Sequence, residues 1–207
     1  MPQMSTHRPE NILLRGGEAA DARQIAELIN IASRGIELHD WQAELTLAMV
    51  ADGQNGIDVG AAKVLASGGY NHYSRVRVAD CAGRVAAMCL NHILMKKTDA
   101  ELASLAPMRR VYADLKQHAP GSFYIDSLAC FPAYRGRGLG KLLIEDAFEE
   151  AQTVACDRIS LLAFEQNAGA IRLYQHMGFE ILYRLPAVES EEIPYGGDVV
   201  LMSRDVP

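Results

Sequence analysis

Residues 124–141 constrain this chain more than any other stretch. They read Tyr-Ile-Asp-Ser-Leu-Ala-Cys-Phe-Pro-Ala-Tyr-Arg-Gly-Arg-Gly-Leu-Gly-Lys. The first half is an apolar and aromatic run that ends at the turn signal Phe131-Pro132, which predicts a buried strand. The second half is a glycine-rich turn carrying Arg135 and Arg137, and it runs into an evident helix at residues 142–151. Strand, glycine turn and helix start together form an anion-binding arrangement. N–H groups without intrahelical partners point out of a helix N-terminus, and the macrodipole adds positive charge there. Glycines let that backbone come close to a phosphate. On spacing alone, the same residues also suit a plain tight connection into a helix. Two phosphate-loop patterns are excluded. Lys141 is followed by Leu142, where a Walker loop needs Ser or Thr, and Gly136, Gly138 and Gly140 are evenly spaced, unlike a dinucleotide fingerprint.

Bulk properties narrow the class. The 207 residues suit one domain with ample material for a core. A net charge of −6 gives no support to nucleic-acid binding. The four cysteines (Cys81, Cys89, Cys130, Cys156) form no Cys-x-x-Cys pair and show no zinc spacing with the six histidines, so no metal is expected. No signal peptide and no membrane-length apolar run are visible, which predicts a soluble cytoplasmic protein with reduced thiols.

Taken in order, residues 1–10 read as a flexible tail and residues 11–207 as a single domain. Residues 11–15 predict a strand. Asp21 predicts an N-cap with Gln24 at the capping-box position, opening a helix with the stripe Ala22, Ile25, Leu28, Ile29 and Ala32, closed by Gly35. Residues 41–51 and 57–66 predict helices in a segment, 39–69, that could flap over a site. Residues 70–79 and 84–94 predict an antiparallel pair around a turn at 80–83. Residues 96–121 form a polar excursion with helical pieces. The helix after the glycine turn is expected to bury Leu139, Leu143, Ala147, Ala151 and Val154. A strand at 158–164, a helix from Asn167 closed by Gly178, a strand at 179–185, an acidic loop at 186–197 and a strand at 199–203 complete the chain. The expected fold is α/β: a mixed sheet with helices on both faces and one parallel crossover.

These residues resemble the GNAT-type N-acetyltransferases, which use acetyl-CoA. Residues 128–140 are similar to the family's pyrophosphate loop, with Arg135, Gly138 and Gly140 as its core. Residues 167–174, Asn-Ala-Gly-Ala-Ile-Arg-Leu-Tyr, resemble the family's Asn-x-x-Ala-x-x-Leu-Tyr helix. Met177-Gly178-Phe179-Glu180 resembles the turn that follows it. The resemblance implies a central, mostly antiparallel sheet of about seven strands, splayed between the fourth and fifth. It implies acetyl-CoA as co-substrate. The pyrophosphate would sit on Arg135, Gly136, Arg137, Gly138, Leu139, Gly140 and Lys141. The pantetheine arm would lie along Leu128, Ala129 and Cys130, with Asn167 and Ala170 beside it. Tyr174 would protonate the departing thiolate.

The chemistry requires little else. An amine of pKa about 10.4 must be held neutral near pH 7, at a cost of roughly 4–5 kcal/mol, before it attacks the thioester. Asp126 is the first candidate base, expected on one strand face with Tyr124, Leu128 and Cys130; it also reads as a structural carboxylate. His39, His72, His92 and Glu165 are further candidates. Cys130 reads as a small hydrophobe rather than a nucleophile. The expected function is acetyl transfer from acetyl-CoA to a small amine by direct attack. The alternatives are a non-catalytic acyl-CoA sensor and a protein or peptide N-acetyltransferase. Exposed edge strands and the closing strand at 199–203 make a homodimer plausible.

Overall fold

The computed structural model describes residues 12–188 and 197–206. The expected tail at 1–10 and most of the acidic loop at 186–197 lie outside them. Among the described residues one sheet carries seven strands: β1 (Ile12–Gly16), β2 (Val76–Cys81), β3 (Arg84–Ile93), β4 (Phe123–Cys130), β5 (Arg158–Phe164), β6 (Glu180–Pro186) and β7 (Asp198–Asp205). Their order is β1-β2-β3-β4-β5-β7-β6. Every neighbouring pair is antiparallel except β4–β5, the parallel crossover expected from the sequence.

The helices are α1 (Ala22–Ala32), α2 (Ile36–Ala43), α3 (Leu47–Ala51), α4 (Gly56–Leu65), α5 (Asp99–Ala103), α6 (Pro107–Lys116), α7 (Leu139–Thr153) and α8 (Ala168–His176). One sheet face is covered by α7 and α8. Leu139, Leu143, Ile144 and Ala147 pack there with Ala87, Cys89, Ile125, Ile159 and Val200. The opposite face is covered in two pieces. Ile25, Leu28, Ile29, Trp41 and Val64 of α1, α2 and α4 pack on Val76, Val78, Met88, Leu90 and Ala129. Leu115 of α6 packs with Tyr124, Val199 and Leu201. Each fully buried Leu or Ile contributes about 1.5–3 kcal/mol relative to exposure, so these stripes hold the helices down. Trp41 is 1 % exposed. A Cβ on Gly60 would lie 2.4 Å from its ring, so α4 approaches the tryptophan only because that residue is glycine.

Several local expectations are corrected. Asp21 does not cap α1 with its side chain. Its carboxylate accepts from the Glu18 N–H at 2.9 Å and from Arg15 at 2.6 Å, and it is buried. Capping and ion pairing compete for the same oxygens, and Arg15 reaches it from β1. Gly35 closes α1, its N–H donating to the Asn30 carbonyl at 3.1 Å, and it also opens α2 as its N-cap (φ 99°). Residues 41–51 divide between α2 and α3, because Thr46 caps a new helix through the Met49 N–H. The strand expected from residue 70 begins only at Val76. Its turn is the expected hairpin: Ala82 and Gly83 both have positive φ, and Asp80 accepts from the Gly83 N–H at 2.7 Å. Val154 lies past the end of α7 and is half exposed.

Two long-range pairs were not legible in the sequence. Arg77 of β2 donates through Nε and Nη2 to Asp146 of α7, both at 2.7 Å. Beside it, Asn91 donates to Glu150 at 3.2 Å. Burial raises the Glu150 carboxyl above its ordinary range, partly offset by that bond.

Candidate active site

The site begins where β4 and β5 part. Their register pairs are Phe123–Ile159, Tyr124–Ser160 and Ile125–Leu161, and there the pairing ends. From Asp126 to Cys130, β4 keeps β3 on one side. On the other side no described strand pairs with it. Beyond Leu161, β5 continues against β7 alone. The sheet therefore opens as a V whose apex is Ile125–Leu161, as the resemblance implied.

A β-bulge lies at the same level. Leu90 pairs with Ser127 and Asn91 with Ile125, so Asp126 is the extra residue. A bulge resets side-chain alternation, and this corrects one expectation. Before it, Tyr124 belongs to the α6 face. After it, Leu128 and Cys130 pack on the α7 face. Asp126 turns with Tyr124: it accepts from Lys116 Nζ of α6 at 3.2 Å, and that ammonium lies 4.5 Å from the centre of the Tyr124 ring. Asp126 thus shares a face with Tyr124 but not with Leu128 and Cys130.

The glycine turn lies at the open end of the V. Gly136 (φ 75°) and Gly138 (φ 78°) adopt left-handed conformations that other residues reach only under strain. A Cβ on either would meet nothing within 4 Å, so the space in front of the turn is open. Gly138 is the N-cap of α7, and the first intrahelical bond runs from the Leu142 N–H to its carbonyl at 3.0 Å. The N–H groups of Leu139, Gly140 and Lys141 precede that bond and point outward with the helix dipole. Arg135 and Arg137 are exposed and held by backbone: Arg135 Nε donates to the Cys130 carbonyl at 3.3 Å, Arg137 Nη2 to Ala133 at 3.2 Å. Gly140 is needed for a different reason, since its Cβ would lie 3.0 Å from Leu173 of α8. Burial pushes the Cys130 thiol up, opposed by the two arginines, which fits an unreactive side chain.

Asn167 caps α8, accepting from the Ala170 N–H at 3.4 Å. Two turns on, Tyr174 is buried, its ring 6.0 Å from Phe179. Burial holds its phenol above the ordinary range, which already lies above neutral pH. Tyr124 is raised likewise, first by burial; its hydroxyl meets the Leu162 backbone just beyond the apex.

Of the further base candidates, only His92 joins this group. It lies opposite Tyr124, with ring centres 5.3 Å apart, and shares a short hydrogen bond with the Tyr70 hydroxyl. Desolvation pushes His92 down to about 4. His39 is exposed, His72 contacts Ser74 at 2.8 Å, and Glu165 pairs with Arg184 at 3.4 Å. Tyr70 and Lys116 carried no local signal in the sequence. Both arrive through tertiary contacts. Tyr70 also borders a cleft of about 410 Å3 with Glu37, Asp40, Trp41, Glu44 and Lys63. Arg109 of α6 reaches Glu37 at 2.9 Å and also Asp40, tying the two helical arms together. Among the described residues no cluster of His, Cys, Asp or Glu could hold a metal, and no helix is long and apolar enough to cross a membrane.

The acetyltransferase (GNAT) family model matches residues 68–179. This chain belongs to the GNAT acetyltransferase family. The matched span of this GNAT chain contains β2 to α8, and with them the V, the glycine turn and Tyr174. The cleft-lining helices α2 and α4 lie before it. N-alpha-acetyltransferase 30 of Saccharomyces cerevisiae is 40% identical over 62 residues, 30% of this chain and 35% of that protein. Spermine/spermidine N(1)-acetyltransferase of Bacillus subtilis is 32% identical over 83 residues, 40% of this chain and 49% of that protein. The chain thus spans a quarter to a half of the curated relatives it matches. A solved acetyltransferase structure superposes with a TM-score of 0.65 at 20% identity, covering 94% of this chain and all of that one, which shows the shared fold.

Proposed function

We propose that this GNAT chain is an N-acetyltransferase that transfers the acetyl group of acetyl-CoA to an amine by direct attack in a ternary complex. The observation that carries the reading is the coincidence of two features. The β4 edge is unpaired from Asp126 to Cys130, and an N-terminal helix cradle stands at its open end. An amide-bearing pantetheine arm fits the first as an added strand would. A pyrophosphate fits the second.

In this reading the backbone of Leu128, Ala129 and Cys130 holds the arm, and an N–H near Cys130 polarises the thioester carbonyl. Arg135, Gly136, Arg137, Gly138, Leu139, Gly140 and Lys141 hold the pyrophosphate. Asn167 and Ala170 flank the arm at the start of α8. Asp126 accepts the amine proton. Tyr174, a phenol that burial holds further above its ordinary range, supplies a proton to the leaving thiolate. The acceptor enters from the α6 face, where Asp126, Tyr124 and the Tyr70 cleft lie. A small amine is the acceptor this placement supports best, in line with the polyamine named for the Bacillus relative. A single domain over 11–207 is kept in this proposal, as are a cytoplasmic location and association of copies through edge strands β1 or β6, testable by light scattering.

A thiol-release assay with acetyl-CoA across polyamines, amino acids, aminoglycosides and peptides tests the reading. Acetyl-CoA-dependent release with at least one small amine is expected. Tight acetyl-CoA binding without transfer to any acceptor would replace the enzyme with an acyl-CoA sensor. The match to a yeast N-alpha-acetyltransferase favours a second reading, a peptide N-terminus as acceptor; release with peptides alone would select it.

A further inference from the structure

Lys116 sits where an acceptor amine would. Asp126 is the first β4 residue past the last β4–β5 pair, so its carboxylate stands at the apex of the V. Lys116 ends α6, and its Nζ donates to Asp126 Oδ1 at 3.2 Å while lying 4.5 Å from the Tyr124 ring centre. A carboxylate on one side and an aromatic face on the other are the two elements that hold an ammonium group. The remaining groups facing it include His92, whose ring is 5.3 Å from Tyr124, and Tyr70 bonded to His92. Other lysines differ. Lys141 pairs with Glu145 at 3.6 Å and Lys63 with Glu44 at 2.9 Å, both between largely solvent-exposed side chains, whereas the Lys116 and Asp126 side chains are only 24% and 20% exposed.

We propose that Lys116 is a cis-acetylation site of this protein: bound acetyl-CoA acetylates it when no free acceptor is present. The inference rests on the reading given under Proposed function. In the step, Lys116 Nζ gives a proton to the Asp126 carboxylate. The freed lone pair forms a bond to the thioester carbonyl carbon, the C–S bond breaks, and the sulfur leaves as CoA thiol with a proton from Tyr174. As the adduct collapses, the nitrogen releases its second proton to solvent, and Asp126 then returns its own proton to Tyr174 through solvent. The balance is lysine ammonium plus acetyl-CoA giving N-acetyl-lysine, CoA thiol and one proton. The product lacks the ammonium charge, so the Asp126 ion pair is lost and the carboxylate becomes free for an outside amine.

The test is peptide mapping by tandem mass spectrometry of the full chain incubated with acetyl-CoA alone. Because the amine is already placed, Lys116 should be acetylated at least about tenfold faster than Lys96, Lys97 or Lys141. Its rate should not depend on protein concentration, and excess CoA should suppress it. Lys116→Arg should leave the protein folded by thermal melting and without the fast-acetylated position. Acetylation of Lys116 no faster than of the surface lysines, or unaffected by excess CoA, overturns the proposal. The amine panel run on the same preparation separates the two claims. Thiol release with an outside amine while Lys116 stays unmodified defeats this inference alone; absence of both acetyl-CoA binding and release defeats the reading beneath it.

Discussion

The two halves of β4 differ in one respect that decides what each can do. Phe123, Tyr124 and Ile125 are paired on both sides, with β3 and with β5. Ser127 to Cys130 are paired with β3 only, and Asp126, the bulge residue, with neither strand. The first half is core: Phe123 and Ile125 are buried in one apolar cluster and Tyr124 in another. The second half has a free backbone edge, open glycines nearby and a carboxylate at its start. Burial and pairing make a strand stable; a missing partner makes it a docking edge. The bulge at Asp126 stands at the boundary and turns the following side chains to the other face.

The comparison can be broken most strongly at the open end. Arg135→Glu with Gly138→Glu reverses charge on the cradle and places a side chain on a backbone at φ 78°. Acetyl-CoA binding by calorimetry should fall below detection, while the rest of the sheet keeps its far-ultraviolet dichroism; undiminished binding would end the cradle assignment. Next is Tyr174→Phe, which keeps the packing and removes the hydroxyl. Turnover should fall by about 10²-fold, the scale of a lost general acid, with acetyl-CoA affinity nearly intact. Wild-type rates in that variant would remove Tyr174 from the chemistry.

The paired half should respond in stability instead. Ile125→Ala leaves a cavity beneath α7 and should cost about 2–5 kcal/mol in denaturant unfolding, with a far smaller change in KM for acetyl-CoA. An Ile125→Ala protein as stable as wild type would show that this half is not core. The smallest effect concerns His92. Its folded pKa, about 4, lies below the ordinary 6.5 because of desolvation. A depressed value means the unfolded chain takes the proton first, so stability is present above pH 6.5 and lost as pH falls toward 4. His92→Gln should therefore lose less stability than wild type across that window, read as melting temperature against pH; parallel curves would show that the ring is already solvated.

Much of this was legible beforehand, because it depends on local pattern. Alternation and apolar runs placed the strands. Glycines marked the hairpin and the turn before α7. The order of the loop, the Asn167–Tyr174 helix and the Gly178 turn pointed to the family. What could not be read is what depends on partners far along the chain. Asp21 suits a helix cap until Arg15 takes its carboxylate, and Asp146 suits a solvent face until Arg77, 69 residues away, is brought to it. Asp126 is the plainest case. Alternation assigned it to the Leu128 face, but one extra residue opposite Leu90 and Asn91 turned it toward Lys116. The sequence by itself determined most of the strands, the glycine turn that opens α7 and which residues carry reactive side chains. Only the tertiary structure decided which face each of them serves and which amine stands beside the carboxylate, because register and long-range pairing are set by the packing of whole elements rather than by the residues next along the chain.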